Sequence, residues 1–517
     1  MAKIKILWAD DEINLLKPHI IFLEDKGYEV VPATNGNEAL DLLQEHRFDI
    51  VFLDENMPGL SGLETLNKLK ATAPSLPVIM ITKSEEESIM EDAIGQKISD
   101  YLIKPVNPNQ ILLSIKKNLD KNRLVSEKTS IGYQQDFRNI GMNLHNNMSF
   151  EEWVEMYQRL IYWELELHKS SDSTMREILD NQKEEANNLF GKFVEDHYLD
   201  WLKNPKEAPM MSHQVFKNRV LQHIQEDGSS TFLIIIDNLR MDQWQLLKPL
   251  IEEQFYVENE ETYLSILPTT TQYARNALLS GLMPGEIEKL HPQFWSNDED
   301  EGGKNLHEKD LVGLQLRRLG KSVRYSYNKV LNQSYGKKVV DEIPNSMANP
   351  FNVIIYNFID MLSHARTDTD VIKELAQTEA AYRSLTVSWY EHSPLKDALK
   401  EIATRKGKVI ITTDHGSIRV KEASKVIGDK TVNTNLRYKQ GKNLSFQEND
   451  VFTVKRPGDA YLPTVNVSQT FIFAKGNFFF AYPNNFNHYV KYYRDTFQHG
   501  GISLEEMMVP VVTLSPK

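Results

Sequence analysis

Residues 50–62 read IVFLDENMPGLSG, an apolar, β-branched run that ends on Asp54 and breaks at once into a Pro-Gly turn. Such a run reads as a buried strand. Outward from it the pattern repeats. IKILWA, EVVPA, PVIMIT and DYLIKP are the other apolar runs of residues 1–120, and amphipathic stretches separate them. Five strands with intervening helices make a doubly wound α/β domain, which gathers its functional groups at the carboxyl ends of parallel strands.

The residues at those ends are Asp10 and Asp11 after the first strand, Asp54 after the third, Thr82 after the fourth and Lys104 after the fifth. Three carboxylates at one edge repel one another unless a divalent cation sits between them, and Mg²⁺ suits an all-oxygen site. A hydroxyl and an ammonium beside an acidic cluster make a place for a phosphoryl group, with Asp54 as the nucleophile that takes it. A lone Asp at a strand end is ordinarily a turn residue; five such elements in order are not explained that way. The blocks ADDE, LDENMPGLSG, MITK and YLIKP resemble the two-component receiver family over residues 4–120. The resemblance implies a sheet of order 2-1-3-4-5 and phosphorylation of Asp54 by a sensor histidine kinase. It also implies Mg²⁺ held by Asp10, Asp11, Asp54 and the Asn56 carbonyl, and a switch made of Thr82, Tyr101 and Lys104.

The chain has 517 residues, enough for three domains, with 41% hydrophobic and 25% charged residues, as in folded proteins. No stretch approaches the ~18–20 consecutive apolar residues of a membrane span. The opening MAKIKILWADDE turns acidic after one short apolar run, unlike a signal peptide, which places the chain in the cytoplasm. With no cysteine, any metal must be held by His, Asp, Glu or hydroxyl groups. A net charge of −13 and the lack of a helix-turn-helix block with a basic recognition helix count against a DNA-binding regulator.

From about 121 to 225 the strand signal vanishes. Ser149 and Glu152 form a capping-box pattern. Trp153, Tyr157, Leu160, Trp163 and Leu167 then recur at helical spacing, and Leu189, Phe193, Val194, Tyr198 and Trp201 follow in a second segment. The segment reads as a helical bundle, with its aromatics as core. The expected domains are 1–121, a receiver; 122–225, a helical bundle linker; and 226–517, a second α/β domain.

In that last domain TFLIIID, FNVIIYNFID and KVIITTDHG are runs of the kind found in parallel strands, and the expectation is that they end in Asp237, Asp360 and Asp414. His415 follows Asp414, His364 lies four residues after Asp360, and His499 sits in the Gly-rich QHGGISLEE. Thr271 lies in LPTTTQYARNALLSG, between a strand and a helix. Three Asp, three His and one Thr supply donors for two metal ions, with Zn²⁺ first and Mn²⁺ second by donor chemistry. Two such metals clamp a phosphoryl transfer, and a coordinated Thr hydroxyl becomes a nucleophile. Arg275 is set to reach a transferred phosphate or to make a surface salt bridge. Arg437, Lys439 and Lys442 read as a solvated loop, or as cations facing an anionic substrate.

IIIDNLRMDQ, LPTTTQYAR, YNFIDMLSHAR, TTDHGS and QHGGISLEEMMVP resemble the alkaline phosphatase superfamily, in particular its PglZ branch, over about 232–510. The resemblance implies one metal on Asp360, His364 and His499 and the other on Asp237, Asp414 and His415. It makes Thr271 the nucleophile, with Thr269 and Thr270 as neighbours still open for that role, and favours diester substrates. A receiver, a helical segment and this domain in one chain are similar to the PorX-type response regulators. That similarity implies a phosphodiesterase on linear or cyclic oligonucleotides, a link to type IX secretion, a sigma-factor partner, and dimerisation on phosphorylation. The competing reading keeps the hydrolase fold only as a docking surface for a transcription factor.

Overall fold

In a computed structural model of the chain, the first five apolar runs become β1 (Lys5–Ala9), β2 (Glu29–Ala33), β3 (Ile50–Asp54), β4 (Val78–Thr82) and β5 (Asp100–Ile103). They pair in parallel in the order β2-β1-β3-β4-β5. The structure describes residues 4–73, 76–83, 98–144, 147–169, 173–225, 228–368, 378–428, 433, 435–464 and 468–517, with the backbone alone for 120–128 and 365–368. The faces of this sheet bury two apolar clusters, one around Trp8, Phe52 and Ile81 and the other around Leu7, Leu53 and Leu66. Ser61 caps the helix Gly62–Thr72 in a reciprocal box with Glu64, which fixes where the chain leaves the Asp54 loop.

The second sheet has six strands in the order β7-β18-β10-β6-β9-β8. Here β6 is Thr231–Ile236, β7 Phe255–Leu264, β8 Tyr325–Val330, β9 Phe351–Tyr356, β10 Lys408–Thr412 and β18 Met508–Pro516. The three runs singled out in the sequence are β6, β9 and β10; they are neighbours, parallel and almost wholly buried. The last strand, β18, lies between β10 and the edge strand β7, antiparallel to both. Between β10 and β18 the chain makes short strands: β11 (Ile418–Arg419), β12 (Glu422–Lys425), β13 (Tyr438–Gly441), β14 (Val451–Val454), β15 (Thr470–Ala474), β16 (Phe478–Ala481) and β17 (Phe497–Gln498). Three of them form the sheet β13-β15-β14, so the stretch of Arg437, Lys439 and Lys442, expected as a solvated loop, is partly strand.

The Ser149–Glu152 box caps the helix Phe150–Lys169, with amide-to-side-chain bonds of 2.7 and 3.3 Å. This helix and Ser173–Lys203 pack through aromatic contacts such as Trp153 on Phe190. The helices do not stand apart as a third body. The chain splits into two compact units, 1–135 with 169–173 and 136–168 with 174–517. The reason is polar as well as apolar. Buried Glu164 accepts from Arg383 at 2.7 Å and from Lys183 at 2.5 Å, and Arg383 also reaches Asp242 at 3.0 Å. Asn187 donates to Glu505 at 3.0 Å and accepts from the Leu504 amide at 2.8 Å.

Burial raises the Glu164 carboxyl, but Lys183 and Arg383 outweigh it and hold the group down at about 2. Because its folded value lies below its ordinary one, the stabilisation is complete above the ordinary carboxylate range and is lost as pH falls towards 2. Glu164→Ala removes the nearest carboxylate from two buried cations, Lys183 and Arg383, an expected cost of about 3 kcal/mol. Urea titration at neutral pH reads the loss, and an unmoved midpoint contradicts it.

Candidate functional site

The parallel strands β10, β6 and β9 end side by side, and the loops that leave them carry the chemistry. Asp237 follows β6 directly. Asn238 then takes a left-handed φ of 65°, which Asn tolerates better than most residues, and the chain turns into the helix Met241–Ile251. Asp414 and His415 follow β10. A Cβ on the next residue, Gly416, would lie 2.0 Å from the Glu505 carbonyl oxygen, so only glycine lets these two loops close together. His499 follows β17, and the left-handed Gly500, φ 123°, turns the chain back behind it.

Asp360 departs from the expectation. It does not end a strand: β9 stops at Tyr356, and Asp360 lies in the first turn of the helix Phe358–Asp368. The intervening Asn357 uses its side-chain amide to donate to Asp237 Oδ2 at 2.8 Å, and the helix begins immediately after it. The four-residue spacing then sets Asp360 and His364 on one helix face.

These loops bring together two groups of three side chains, each with ligand atoms within 4.8 Å of one another: Asp360, His364 and His499, and Asp237, Asp414 and His415. The groups adjoin, with the His415 and His499 rings stacked at 4.3 Å. The first is open, His364 being 57% exposed; the second is fully buried. Thr271 Oγ1 lies 3.3 Å from Asp237 Oδ1 and 3.3 Å from His415 Nε2. Thr269 is turned elsewhere. Its hydroxyl donates to the Gly501 carbonyl at 2.9 Å and accepts from the Gly500 amide at 3.0 Å, holding the His499 turn.

Each buried imidazole is oriented from behind. His499 Nδ1 lies 3.2 Å from the Thr269 carbonyl and His415 Nδ1 3.1 Å from that of Gly416. A ring bonded to a carbonyl through Nδ1–H presents the Nε2 lone pair on its other side, as metal-binding histidines do. Burial pushes His415 down to about 4, so it is neutral near pH 7. Burial raises Asp237, and the charges of Asp414 and Asp360 add to that against Arg275. Asp360 is held well below the usual range by His364 and His499 in spite of its burial.

The first sheet carries a second, separate site. Lys104 Nζ lies 2.8 Å from Asp54 Oδ1 and 2.9 Å from Asp10 Oδ2. Asp10, Asp11 and Asp54 bring one oxygen each within 4.8 Å of one another. Burial raises Asp54, and the charges of Asp10 and Asp11 push the same way against Lys104. Asp11 and Asn56 are exposed beside the buried Asp10 and Asp54. Tyr101 is 40% exposed. The Thr82 hydroxyl donates to the carboxylate of Glu55, a buried neighbour of Asp54.

Residues 6–116 match the response regulator receiver domain, 123–202 the PorX response regulator linker domain, and 215–514 the BREX system PglZ alkaline phosphatase-like domain. The chain belongs to the PglZ alkaline phosphatase-like family. Its domain order, a receiver, a linker and a PglZ domain, is that of a PorX-type response regulator. Among curated proteins, the alginate biosynthesis transcriptional regulatory protein AlgB of Pseudomonas putida is 36% identical over 120 residues, 23% of this chain and 27% of its own length. The transcriptional regulatory protein SrrA of Staphylococcus aureus is 26% identical over 167 residues, 31% of this chain and 69% of its own. The chain thus spans about a quarter of AlgB. Among solved structures, the chemotaxis protein CheY4 of Vibrio cholerae is 31% identical, covering 23% of this chain and 100% of its own, with a TM-score of 0.22. The receiver domain of NtrX from Brucella abortus is 30% identical, covering 22% and 98%, with a TM-score of 0.22.

Several cations of the PglZ domain lie where the sequence did not put them. Arg275 is neither at the surface nor free for a ligand. It is buried, with Nη1 2.6 Å from Asp237 Oδ2 and 3.4 Å from Asp414 Oδ2, and Nε 2.5 Å from Glu308. Arg437 is buried and paired to Glu506 at 2.6 and 3.1 Å; Glu506 in turn accepts from the Gly501 amide at 2.9 Å. Lys439 is buried, donates to the Asn433 carbonyl at 2.7 Å and is pushed down to about 7 by burial. Of the three loop cations only Lys442 is exposed. The sequence reading missed Asn357, which its YNFID block contained, and Glu308, which no local pattern marks.

In the receiver, the Thr82 hydroxyl is engaged by Glu55, so Glu55 is expected to compete for it with a phosphoryl group carried on Asp54. Glu55→Ala is expected to raise the fraction of Asp54 labelled by acetyl phosphate at equilibrium by roughly tenfold, since a hydrogen bond to a charged group is worth about 1.5 kcal/mol or more. Asp54→Ala is expected to abolish the label. Phosphate-affinity gels measure both, and equal labelling of wild type and Glu55→Ala contradicts the competition.

Proposed function

We propose that the chain is a response regulator whose PglZ domain is a two-zinc phosphodiesterase acting on linear or cyclic oligonucleotides, tuned by phosphorylation of Asp54. The observation that carries this reading is the Thr271 hydroxyl, 3.3 Å from both Asp237 and His415 of one candidate ligand group, with the second group adjoining it through the stacked His415 and His499 rings. A fold kept only for docking has no need of a hydroxyl set against one of two adjoining groups of Asp and His.

The donors fit zinc. Three imidazoles and three carboxylates with no thiolate match the ligand chemistry of two zinc ions, and the buried rings already turn Nε2 away from their carbonyl partners. Asp360, His364 and His499 would hold one ion; Asp237, Asp414 and His415 would hold the other. When bound, the pair supplies Lewis acidity at the phosphoryl oxygens.

The chain's own groups do the rest. Thr271 Oγ1, 3.3 Å from Asp237 Oδ1 and His415 Nε2, stands where an ion held by those two residues would ease loss of the hydroxyl proton, which passes to solvent as Oγ1 attacks phosphorus. The P–O bond to one ester arm breaks, the arm leaves as its alcohol with a proton from solvent, and water then cleaves the threonyl phosphodiester to restore the hydroxyl and release the phosphate monoester of the other arm. Asn305 Nδ2 donates to the Thr271 carbonyl at 3.0 Å and keeps the residue from swinging away. Arg275 offsets the paired negative charge of Asp237 and Asp414 behind it.

Asp10, Asp11, Asp54 and the Asn56 carbonyl would hold Mg²⁺ in the receiver, with a sensor histidine kinase as phosphoryl source. The switch residues are Thr82, Tyr101 and Lys104. The PorX-type linker supports a role in type IX secretion, with a sigma factor as the downstream partner and a cytoplasmic place for the chain. No helix among the described residues is long and apolar enough to cross a membrane.

Purified protein is expected to carry about two Zn²⁺ per chain by elemental analysis. Thr271→Val should keep that metal and lower bis(p-nitrophenyl) phosphate turnover by roughly 10³-fold or more. Thr271→Ser should retain part of the rate, and Thr270→Val nearly all of it. A metal-free protein that zinc fails to activate, or a fully active Thr271→Val, overturns the enzymatic reading. Acetyl phosphate should also shift the sedimentation profile from monomer towards dimer, and a single unchanged mass contradicts that coupling.

A further inference from the structure

One strand further along the same edge of the PglZ sheet lies a cavity of about 580 Å³. Ligand pockets run to roughly 300–1,000 Å³, so this one is large enough for a nucleoside. Val330 and Leu331 line it at the end of β8 and Tyr356 at the end of β9. Phe358 and Met361 line it from the helix that bears Asp360, and Trp389 from the helix Glu379–Glu391. Asp360 sits between Phe358 and Met361 in sequence, so one helical turn serves both the candidate metal site and the cavity.

A stacked ring pair defines what fits there. Phe358 and Trp389 have ring centroids 4.9 Å apart and planes 1° from parallel. A flat ring extends such a stack at little cost in shape, as bases do on aromatic platforms. Leu331 and Met361 are 53% and 50% exposed, so the apolar wall opens to solvent.

We propose that this cavity is a subsite for a nucleobase on one ester arm of the phosphodiester, stacked on the Phe358–Trp389 pair. The assignment rests on the phosphodiesterase reading of the neighbouring site. It deepens that reading by naming the part of the substrate that sets specificity. A phosphate ester with a small arm gains nothing from the cavity, whereas a nucleotide gains a stacking partner on the helix that bears Asp360.

Two substrates that release the same p-nitrophenol isolate the arm: the p-nitrophenyl ester of thymidine 5′-phosphate and methyl p-nitrophenyl phosphate. Wild type is expected to prefer the nucleoside ester in kcat/KM. Trp389→Ala should lower the ratio of the two kcat/KM values by about tenfold, the usual weight of one base–aromatic stack. A wild type without preference, or an unchanged ratio in Trp389→Ala, overturns the subsite. Binding is read separately, by calorimetric titration of adenosine into the full-length, chelator-treated chain. Wild type should bind it and Trp389→Ala should bind it at least about fivefold more weakly; no binding, or equal binding by both, overturns the proposal without reference to turnover. Adenosine binding together with no hydrolysis of either ester supports the ring site and overturns the hydrolase reading instead.

Discussion

The Arg275 guanidinium lies wholly buried between Asp237, Asp414 and Glu308, and Lys329 closes the group at 3.1 Å from Glu308. Carboxylates that end adjacent parallel strands are forced together by the sheet, and away from water their repulsion is severe. Only an equally buried positive charge lets the sheet keep them there. Arg275 meets that need from the first turn after Thr271, so the residue that neutralises the acids also fixes the turn that carries the hydroxyl. Glu308 in turn holds the guanidinium's other edge. An arginine suits the place because its planar fork reaches several carboxylates at once.

A second layer of buried charge supports the loops from behind. Arg240 pairs with Asp242 at 2.5 Å and with Glu379 at 2.7 Å; Asp242 also takes Arg383, which reaches Glu164 of the linker helix Phe150–Lys169. On the other side Arg437 holds Glu506, whose carboxylate takes the Gly501 amide behind His499. Pairs this deeply buried add little net stability over apolar packing. Their effect is geometric: each fixes one loop that bears a candidate ligand, and together they join the linker helices to the PglZ sheet.

The receiver meets the same constraint with different chemistry. Its strand ends carry only oxygen donors, and Lys104 bridges Asp10 and Asp54 where the PglZ domain uses Arg275. A lysine is a single compact charge on a flexible stem, suited to a site that gains and loses a phosphoryl group. The PglZ domain adds imidazoles to its carboxylates, which shifts the preferred ion from Mg²⁺ to zinc. Two sheets with one organising rule therefore offer two different donor sets, one of oxygens alone and one that adds imidazoles.

The sequence alone marked the strands, because buried parallel strands are written as continuous β-branched runs, and it drew attention to Asp54, Thr271 and six candidate Asp and His ligands, although Asp360 and His364 lie on a helix and not at a strand end. The Ser149–Glu152 cap was legible for the same reason: its reciprocal bonds span three residues. What lay beyond the sequence depends on distant segments. Arg275 could face solvent or the core on local grounds, and Glu308, 33 residues away, decides the matter. Arg437 and Lys439 sit in a polar stretch that reads as solvated, yet β13 pairs with β15 and buries them. The cavity is built from residues near 330, 358 and 389, which no single pattern connects. Periodicity and spacing are local and survive in the one-dimensional chain. The partner of a buried charge, and the wall opposite an aromatic ring, exist only once the sheet has brought remote segments within contact.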